Sequence, residues 1–273
     1  MVRAAYSVRS HFRGMCEALA SLIFPAPCRI CARSLDSGSR IPFCHACMEA
    51  IMQPLPEPLC AQCGRPIVSA CVAEGNSPPL CYLCRSGIYA FDFARSFGAY
   101  APRMSRAILL LKYGNVAPLG EWFARRLAAL VQRQPRDFAA DAVIPVPLDE
   151  QRRLERGYNQ AELIARPLAR LLGIPFRSYL LVRTRPRPNQ LRLTHRERWE
   201  TVRGAYATHK AAQVDKLRVL LVDDVFTTGA TLDACSRALK GAGAARVVGL
   251  TVARALPLYP APEAGLRDQD FGE

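Results

Sequence analysis

The sequence predicts an α/β protein: a mainly parallel sheet with helices on both faces, preceded by a small cysteine-rich module. Three observations carry this. Residues 219–232 read as strand, acid pair, turn and helix; apolar strands alternate with amphipathic helices from about residue 89; and four Cys-x-x-Cys pairs lie between residues 28 and 84.

Val219, Leu220, Leu221 and Val222 make a short buried strand, and Asp223 and Asp224 follow where it is expected to end. Thr227, Thr228, Gly229, Ala230 and Thr231 form a small hydroxyl-rich turn that opens a helix, Leu232 to Lys240. Such a turn aims backbone N–H groups and hydroxyls at one spot, and the helix N-terminus adds partial positive charge there. A phosphate fits it. The two acids just ahead are placed to hold ribose hydroxyls, Mg²⁺ or both. An ordinary βα turn with an acid pair capping the helix is the alternative, and the length of the pattern in its strand-then-helix setting outweighs it.

The other elements follow in order. Ala90–Tyr100 reads as a strand, Met104–Leu111 and Leu119–Val131 as helices, and Asp141–Ile144 as a short strand stopped by Pro145-Val146-Pro147. Leu154–Leu172 reads as one long amphipathic helix, kinked or broken at Pro167 and ended by Gly173. Tyr179–Val182 and Val202–Tyr206 read as short strands, and Leu217–Val222 and Arg246–Val252 as strands flanking the helix after Thr231. Strands alternating with helices imply a parallel sheet covered on both sides. Ligands of such sheets sit beyond the strands' carboxyl ends. The 223–231 turn and the Pro145–Leu148 loop both lie there.

The cysteine pairs are Cys28/Cys31, Cys44/Cys47, Cys60/Cys63 and Cys81/Cys84. Each pair is a knuckle that aims two thiolates at one point, and two knuckles complete a tetrahedral site for Zn²⁺. Two zinc ions are therefore expected, in a region too short of apolar residues to fold without metal. Pairing in chain order is the simplest arrangement; crossed pairing and an iron–sulfur cluster are also compatible with the spacing. Redox Cys-x-x-Cys chemistry usually needs one pair in a βαβ setting, which is missing here. Cys235 reads as a core thiol, and His45 as an exposed residue rather than a ligand.

Formal net charge is +14, and lysine occurs only at 112, 210, 216 and 240, so the basic residues are nearly all arginine. Arginine grips phosphate bidentately and stacks on bases. Phosphorylated small molecules or nucleic acid are the partner classes this favours; a compositional bias explains the excess equally well. No apolar run is long enough to span a bilayer. Residues 1–25 read as an N-terminal amphipathic helix without a clean signal-peptidase site, and a cytoplasmic location is expected. The expected organisation continues with a double zinc-ribbon module at 26–87, the sheet domain at 88–255 and a tail at 256–273.

Two basic segments remain. Pro145, Val146 and Pro147 stiffen a loop that Arg152, Arg153 and Arg156 follow, a place suited to a pyrophosphate. Residues 182–203 carry Arg183, Arg185, Arg187, Arg192, Arg196, Arg198 and Arg203. They read as a mobile arm able to close over an anion or track a polyphosphate chain, with an empty exposed loop as the alternative.

Taken together, the chain resembles the ComF family of competence-associated proteins over roughly residues 20 to 255. The resemblance rests on the paired knuckles, Lys112-Tyr113-Gly114, Pro145-Val146-Pro147-Leu148, Arg156-Gly157-Tyr158-Asn159-Gln160, the run from Arg183-Thr184 to Gln190, and Val222-Asp223-Asp224-Val225-x-Thr227-Thr228-Gly229-x-Thr231. The chain departs from the family pattern at Thr201, where an asparagine is frequent. The resemblance implies a type I phosphoribosyltransferase domain behind a zinc-ribbon module. It also implies phosphoribosyl pyrophosphate with Mg²⁺ as ligand, with Lys112 among the binding residues. Single-stranded DNA and a competence helicase are the implied partners, in DNA uptake. An active phosphoribosyltransferase of nucleotide or related metabolism, with an unidentified acceptor, is the competing expectation.

Overall fold

A computed structural model describes residues 27–35, 40–67, 78–186, 195–209 and 214–256, without the side chains of 195, 196 and 198. The expected N-terminal helix, and the tail beyond 256, lie outside the described residues. The chain divides into two compact units, residues 1–52 and 53–273, so each cysteine set belongs to its own unit.

In the first unit the Cys28 knuckle closes through Cys28 N–H to Arg33 O at 2.7 Å and Ala32 N–H to Cys28 O at 2.8 Å. The second knuckle runs straight into helix α1 (His45–Ile51), whose Cys47 and Ile51 are buried.

The second unit opens with the Cys60 knuckle and a one-turn helix α2 (Tyr82–Arg85). Then come β1 (Phe93–Ala99), α3 (Pro102–Lys112), α4 (Pro118–Arg133), β2 (Ala142–Pro145), α5 (Glu150–Arg156) and α6 (Gln160–Leu172). A two-stranded arm follows, β3 (Leu181–Arg183) and β4 (Tyr206–Thr208), with α7 (His195–Val202) between its strands. The chain finishes with β5 (Arg218–Phe226), α8 (Ala230–Gly241) and β6 (Arg246–Arg254). The main sheet has the order β1-β6-β5-β2, and all three pairings are parallel. Four consecutive residues of β5, Val219–Val222, are buried, and β6 is buried at every position after Arg246. Only helices on both faces produce that pattern, because successive side chains of a strand point to opposite sides.

Three expectations need correction. The strand before the turn does not stop at Val222: β5 runs on through both acids to Phe226, because β6 pairs with it as far as Phe226↔Arg254. The acids therefore sit on the strand's last turns of pleat, one half-buried and one buried. Secondly, the long helix is two helices, and its break is not at Pro167. Gly157 ends α5 in the left-handed conformation (φ 75°), and Asn159 caps α6 by accepting from Ala161 N–H. Pro167 lies inside α6, where its missing N–H releases the Leu163 carbonyl. Gly120 of α4 packs against that carbonyl; a Cβ there would lie 2.6 Å from Leu163 O. Thirdly, Val202 ends helix α7 rather than starting a strand, so the basic arm contains ordered helix.

Candidate functional site

The site is built where β2 ends beside β5, which continues to Phe226. Pro145 of β2 pairs with Val222 of β5, and Val146 N–H donates to Val222 O at 2.8 Å. The Pro145–Leu148 loop therefore leaves the sheet beside the acid pair of β5. Asn159 braces that loop by donating to Val146 O at 3.0 Å.

Asp223 and Asp224 point to opposite sides of β5. Asp223 is half-buried, and its Oδ1 accepts from Asp224 N–H at 2.8 Å. Asp224 is 5% exposed. Its Oδ2 lies 3.0 Å from Lys112 Nζ, at the end of α3, and the two form a buried ion pair. Burial by itself would lower the lysine pKa, yet the field of Asp224, with Tyr100 and Asp223 behind it, raises it. The structure thus brings Lys112 to the acids rather than to the turn.

After Phe226 the chain turns through Thr227 and Thr228, both half-buried, to Gly229 at φ 84°. Alanine has no room there: its Cβ would lie 2.6 Å from Tyr89 Cε1 and 2.7 Å from Phe226 Cζ. Thr228 Oγ1 accepts from Ala230 N–H at 3.2 Å, and α8 begins with Asp233 N–H donating to Gly229 O at 2.8 Å. The first N–H groups of a helix have no partner inside it. Thr231, half-buried, lies in that first turn. Ala90 N–H and the Arg237 guanidinium hold the buried Asp233, which fixes the helix in place.

The arginines separate into different settings. Arg152 is half-buried, and Arg153 pairs with Glu150 at 2.8 Å. Arg156 donates to Tyr113 Oη at 2.8 Å and stacks 4.6 Å over that ring, tying α5 to the Lys112-Tyr113-Gly114 segment. Arg183 turns inward. Its side chain is 7% exposed, donates to Tyr206 Oη at 2.7 Å and lies 4.0 Å from Asp149. So placed, it has little surface to offer a phosphate backbone. Arg185 is exposed. Arg187 and Arg192, and the side chains of Arg196 and Arg198, lie outside the described residues. Of the aromatics expected to stack on bases, Tyr158 donates to Leu111 O at 2.6 Å, and Trp199 packs on Tyr89 at 5.8 Å.

Both cysteine sets assemble in chain order. The four Sγ atoms of Cys28, Cys31, Cys44 and Cys47 lie within 4.8 Å of one another, as do those of Cys60, Cys63, Cys81 and Cys84. Cys44 N–H donates to Cys28 Sγ and Cys81 N–H to Cys60 Sγ, each at 3.3 Å, which favours thiolate. In the second set the Cys63 and Cys84 thiols hold Cys60 low; Cys60 in return pushes Cys63 up to about 11 and Cys84 higher. Four sulfur donors this close together suit tetrahedral zinc. His45 is exposed and pairs with Glu49, and Cys235 is buried in α8.

Sequence reading missed Tyr89, Asp149, Asp233 and Arg254. Tyr89 Oη donates to the Thr228 carbonyl at 2.9 Å from 139 residues away. No local pattern announces such a contact.

A parallel sheet with an acid pair and a Thr-Thr-Gly turn at its carboxyl edge, together with two cysteine tetrads, defines a phosphoribosyltransferase-like protein with zinc-ribbon modules. Residues 159–264 match the phosphoribosyl transferase domain family. The chain is 30% identical over 229 residues to "DNA utilization protein YhgH" of Salmonella typhi, covering 83% of this chain and 96% of that protein. It is 30% identical to "Competence protein F" of Haemophilus influenzae, covering 78% and 90%, and 26% identical to "Competence protein ComFC" of Bacillus subtilis, covering 77% and 83%. The chain belongs to the ComF family. No helix among the described residues is long and apolar enough to cross a membrane.

Proposed function

We propose that this protein binds phosphoribosyl pyrophosphate with Mg²⁺ at the carboxyl edge of its sheet and serves in the uptake and handling of single-stranded DNA. One observation carries the ligand assignment. The Pro145–Leu148 loop leaves β2 where Pro145 lies beside Val222, next to the acid pair of β5 and the strand end that leads into the Thr227–Thr231 turn. A sugar carrying a phosphate at one end and a pyrophosphate at the other needs two such adjacent cradles. The 5′-phosphate sits on the 227–231 turn and the N-terminus of α8. Asp223 and Asp224 hold the ribose hydroxyls and the metal. The stiff proline loop, with Arg152 and Arg156, receives the pyrophosphate, and Lys112 balances the charge of Asp224. Mg²⁺, when bound with the ligand, would neutralise the pyrophosphate.

The relatives' names, competence and DNA utilization, support the cellular role, as does the arginine-rich arm at 183–203. A helicase of the uptake machinery is the partner this role calls for. A metabolic phosphoribosyltransferase is the second reading; the acid pair and turn support it equally, but the names of the relatives favour uptake.

Calorimetry with Mg²⁺ and phosphoribosyl pyrophosphate, alongside single-strand DNA binding across salt, tests the proposal. Wild type is compared with the Asp223→Ala/Asp224→Ala double variant. Sugar-phosphate binding should vanish in the variant while DNA affinity persists. Absence of ligand binding in wild type would reject the pocket assignment. Absence of DNA affinity at about 0.15 M salt would reject the nucleic-acid role. Pyrophosphate release with a nucleobase or ammonia would establish the metabolic reading.

A further inference from the structure

The second cysteine set is not a separate appendage of its unit. Its knuckle lies directly on the sheet that carries the phosphate turn. Gln62, inside the Cys60-x-x-Cys63 loop, donates to Phe91 O at 3.0 Å, and its own carbonyl accepts from Ala94 N–H at 2.7 Å. Gly64 is pressed to β1 so closely that a Cβ would lie 2.7 Å from Ala94 O. Arg95 donates to Ala61 O at 3.0 Å. From the far end of β6, Arg254, only 1% exposed, donates to the Cys63 carbonyl and, at 3.4 Å, to Cys63 Sγ. Its guanidinium also covers the Phe226 ring at 4.0 Å. A buried cation in that position offsets the negative charge that four thiolates leave on a zinc centre. The same cluster holds Tyr89, stacked on Phe91 at 4.7 Å and edge-on to Phe226 at 6.2 Å.

Tyr89 then touches the turn itself. Its hydroxyl holds the Thr228 carbonyl, and its ring fills the space that any side chain at 229 would need. It also meets Trp199 of the basic arm.

We propose that Tyr89 is the positioning residue of the phosphate turn, and that metal at the Cys60/Cys63/Cys81/Cys84 site sets the turn's geometry through Tyr89 and Arg254. The ligand-affinity half of this inference rests on the proposed reading of the 227–231 turn as a phosphate cradle; the positioning half does not. With the Thr228 carbonyl held, the Thr228–Gly229 peptide plane has one orientation and its N–H stays aimed at the anion site, while the Ala230 N–H remains on Thr228 Oγ1. Freed, Gly229 has wide conformational choice, and the turn loses its preorganisation.

The test has a ligand-free readout. Amide hydrogen exchange is followed across residues 226–233 in zinc-loaded wild type, Tyr89→Phe and Cys81→Ser. Tyr89→Phe keeps the ring and removes only the hydroxyl. Exchange in this segment should rise about fivefold, the size expected for one lost hydrogen bond, with the melting temperature lowered by no more than about 4 °C. Cys81→Ser should raise it further and lower bound zinc. The affinity for Mg²⁺ and phosphoribosyl pyrophosphate should weaken in Tyr89→Phe by a similar factor. Unchanged exchange in Tyr89→Phe overturns the proposal. Faster exchange in Tyr89→Phe, with a wild type that binds no phosphoribosyl pyrophosphate, upholds the positioning role and removes the ligand assignment instead. Faster exchange with unaltered affinity overturns the link between turn geometry and binding.

Discussion

Lys112 Nζ and Asp224 Oδ2 stand 3.0 Å apart, with 19% and 7% of their side chains exposed. The lysine comes from the end of α3 and the aspartate from β5, so the pair fastens a helix terminus to the strand that carries the site. Removing one partner of a buried pair leaves the other charge uncompensated, which costs about 3 kcal/mol or more. Lys112→Met should destabilise by that order in urea titration, and Lys112→Met/Asp224→Asn should recover much of it. A double variant no more stable than the single would show that Lys112 acts by packing instead. The pH dependence has a definite sign. The folded pKa of Lys112 lies above its ordinary 10.5, so the pair's contribution is intact below that value and fades as pH rises through the folded one.

Asp141, at the head of β2, supplies the acid limb. Side-chain hydrogen bonds from Arg218, then the Arg218 backbone N–H, hold its carboxyl down from 3.8 to about 2. A depressed pKa contributes stability above the unfolded value and loses it as pH falls toward the folded one. Wild type should therefore exceed Asp141→Asn in urea midpoint at about pH 5, with the gap closing between about pH 4 and 2. Both side chains are more than a third exposed, so the gap should be modest and should shrink in high salt.

Gly229 and Gly157 both have positive φ, at 84° and 75°, but only Gly229 is crowded. Gly157→Ala should cost about 1 kcal/mol of backbone strain. Gly229→Ala adds an overpacking cost of about 1–3 kcal/mol and displaces the turn from Tyr89 and Phe226. Denaturant midpoints rank the two, and calorimetry with phosphoribosyl pyrophosphate should show loss of binding in Gly229→Ala alone. Equal behaviour of the two variants would mean that the crowding relaxes harmlessly.

Elemental analysis should find two zinc ions per chain. Cys31→Ser and Cys81→Ser should each bring the value to about one, since each removes one ligand from a different tetrad. Iron in place of zinc would overturn the assignment.

Much of the fold was readable because its signals are local. The strands at 93–99, 142–145 and 246–254 and the helices at 102–112 and 118–133 follow from runs of apolar residues with the right period. The misreadings share a cause. The kink or break was placed at Pro167, whereas Gly157, in the left-handed conformation, ends the first helix and Pro167 lies inside the second. The strand was ended at the acids because carboxylates rarely continue a buried strand, whereas pairing with β6 extends it to Phe226. Arg183 counted as one basic residue among several in its arm. Only the β3–β4 pairing, which sets it opposite Tyr206, shows that it faces inward.

What the chain alone determined was the chemistry that closely spaced residues can make by themselves. Two Cys-x-x-Cys knuckles aim their own thiols, and an acid pair before a Thr-Thr-Gly turn brings its own helix terminus. Tertiary structure alone decided which distant groups complete these pieces: Lys112 on Asp224, Tyr89 on Thr228, and Arg254 on Cys63, the last across 191 residues. Such contacts depend on the order and register of parallel strands, which bring together segments whose separation along the chain carries no period a sequence can display.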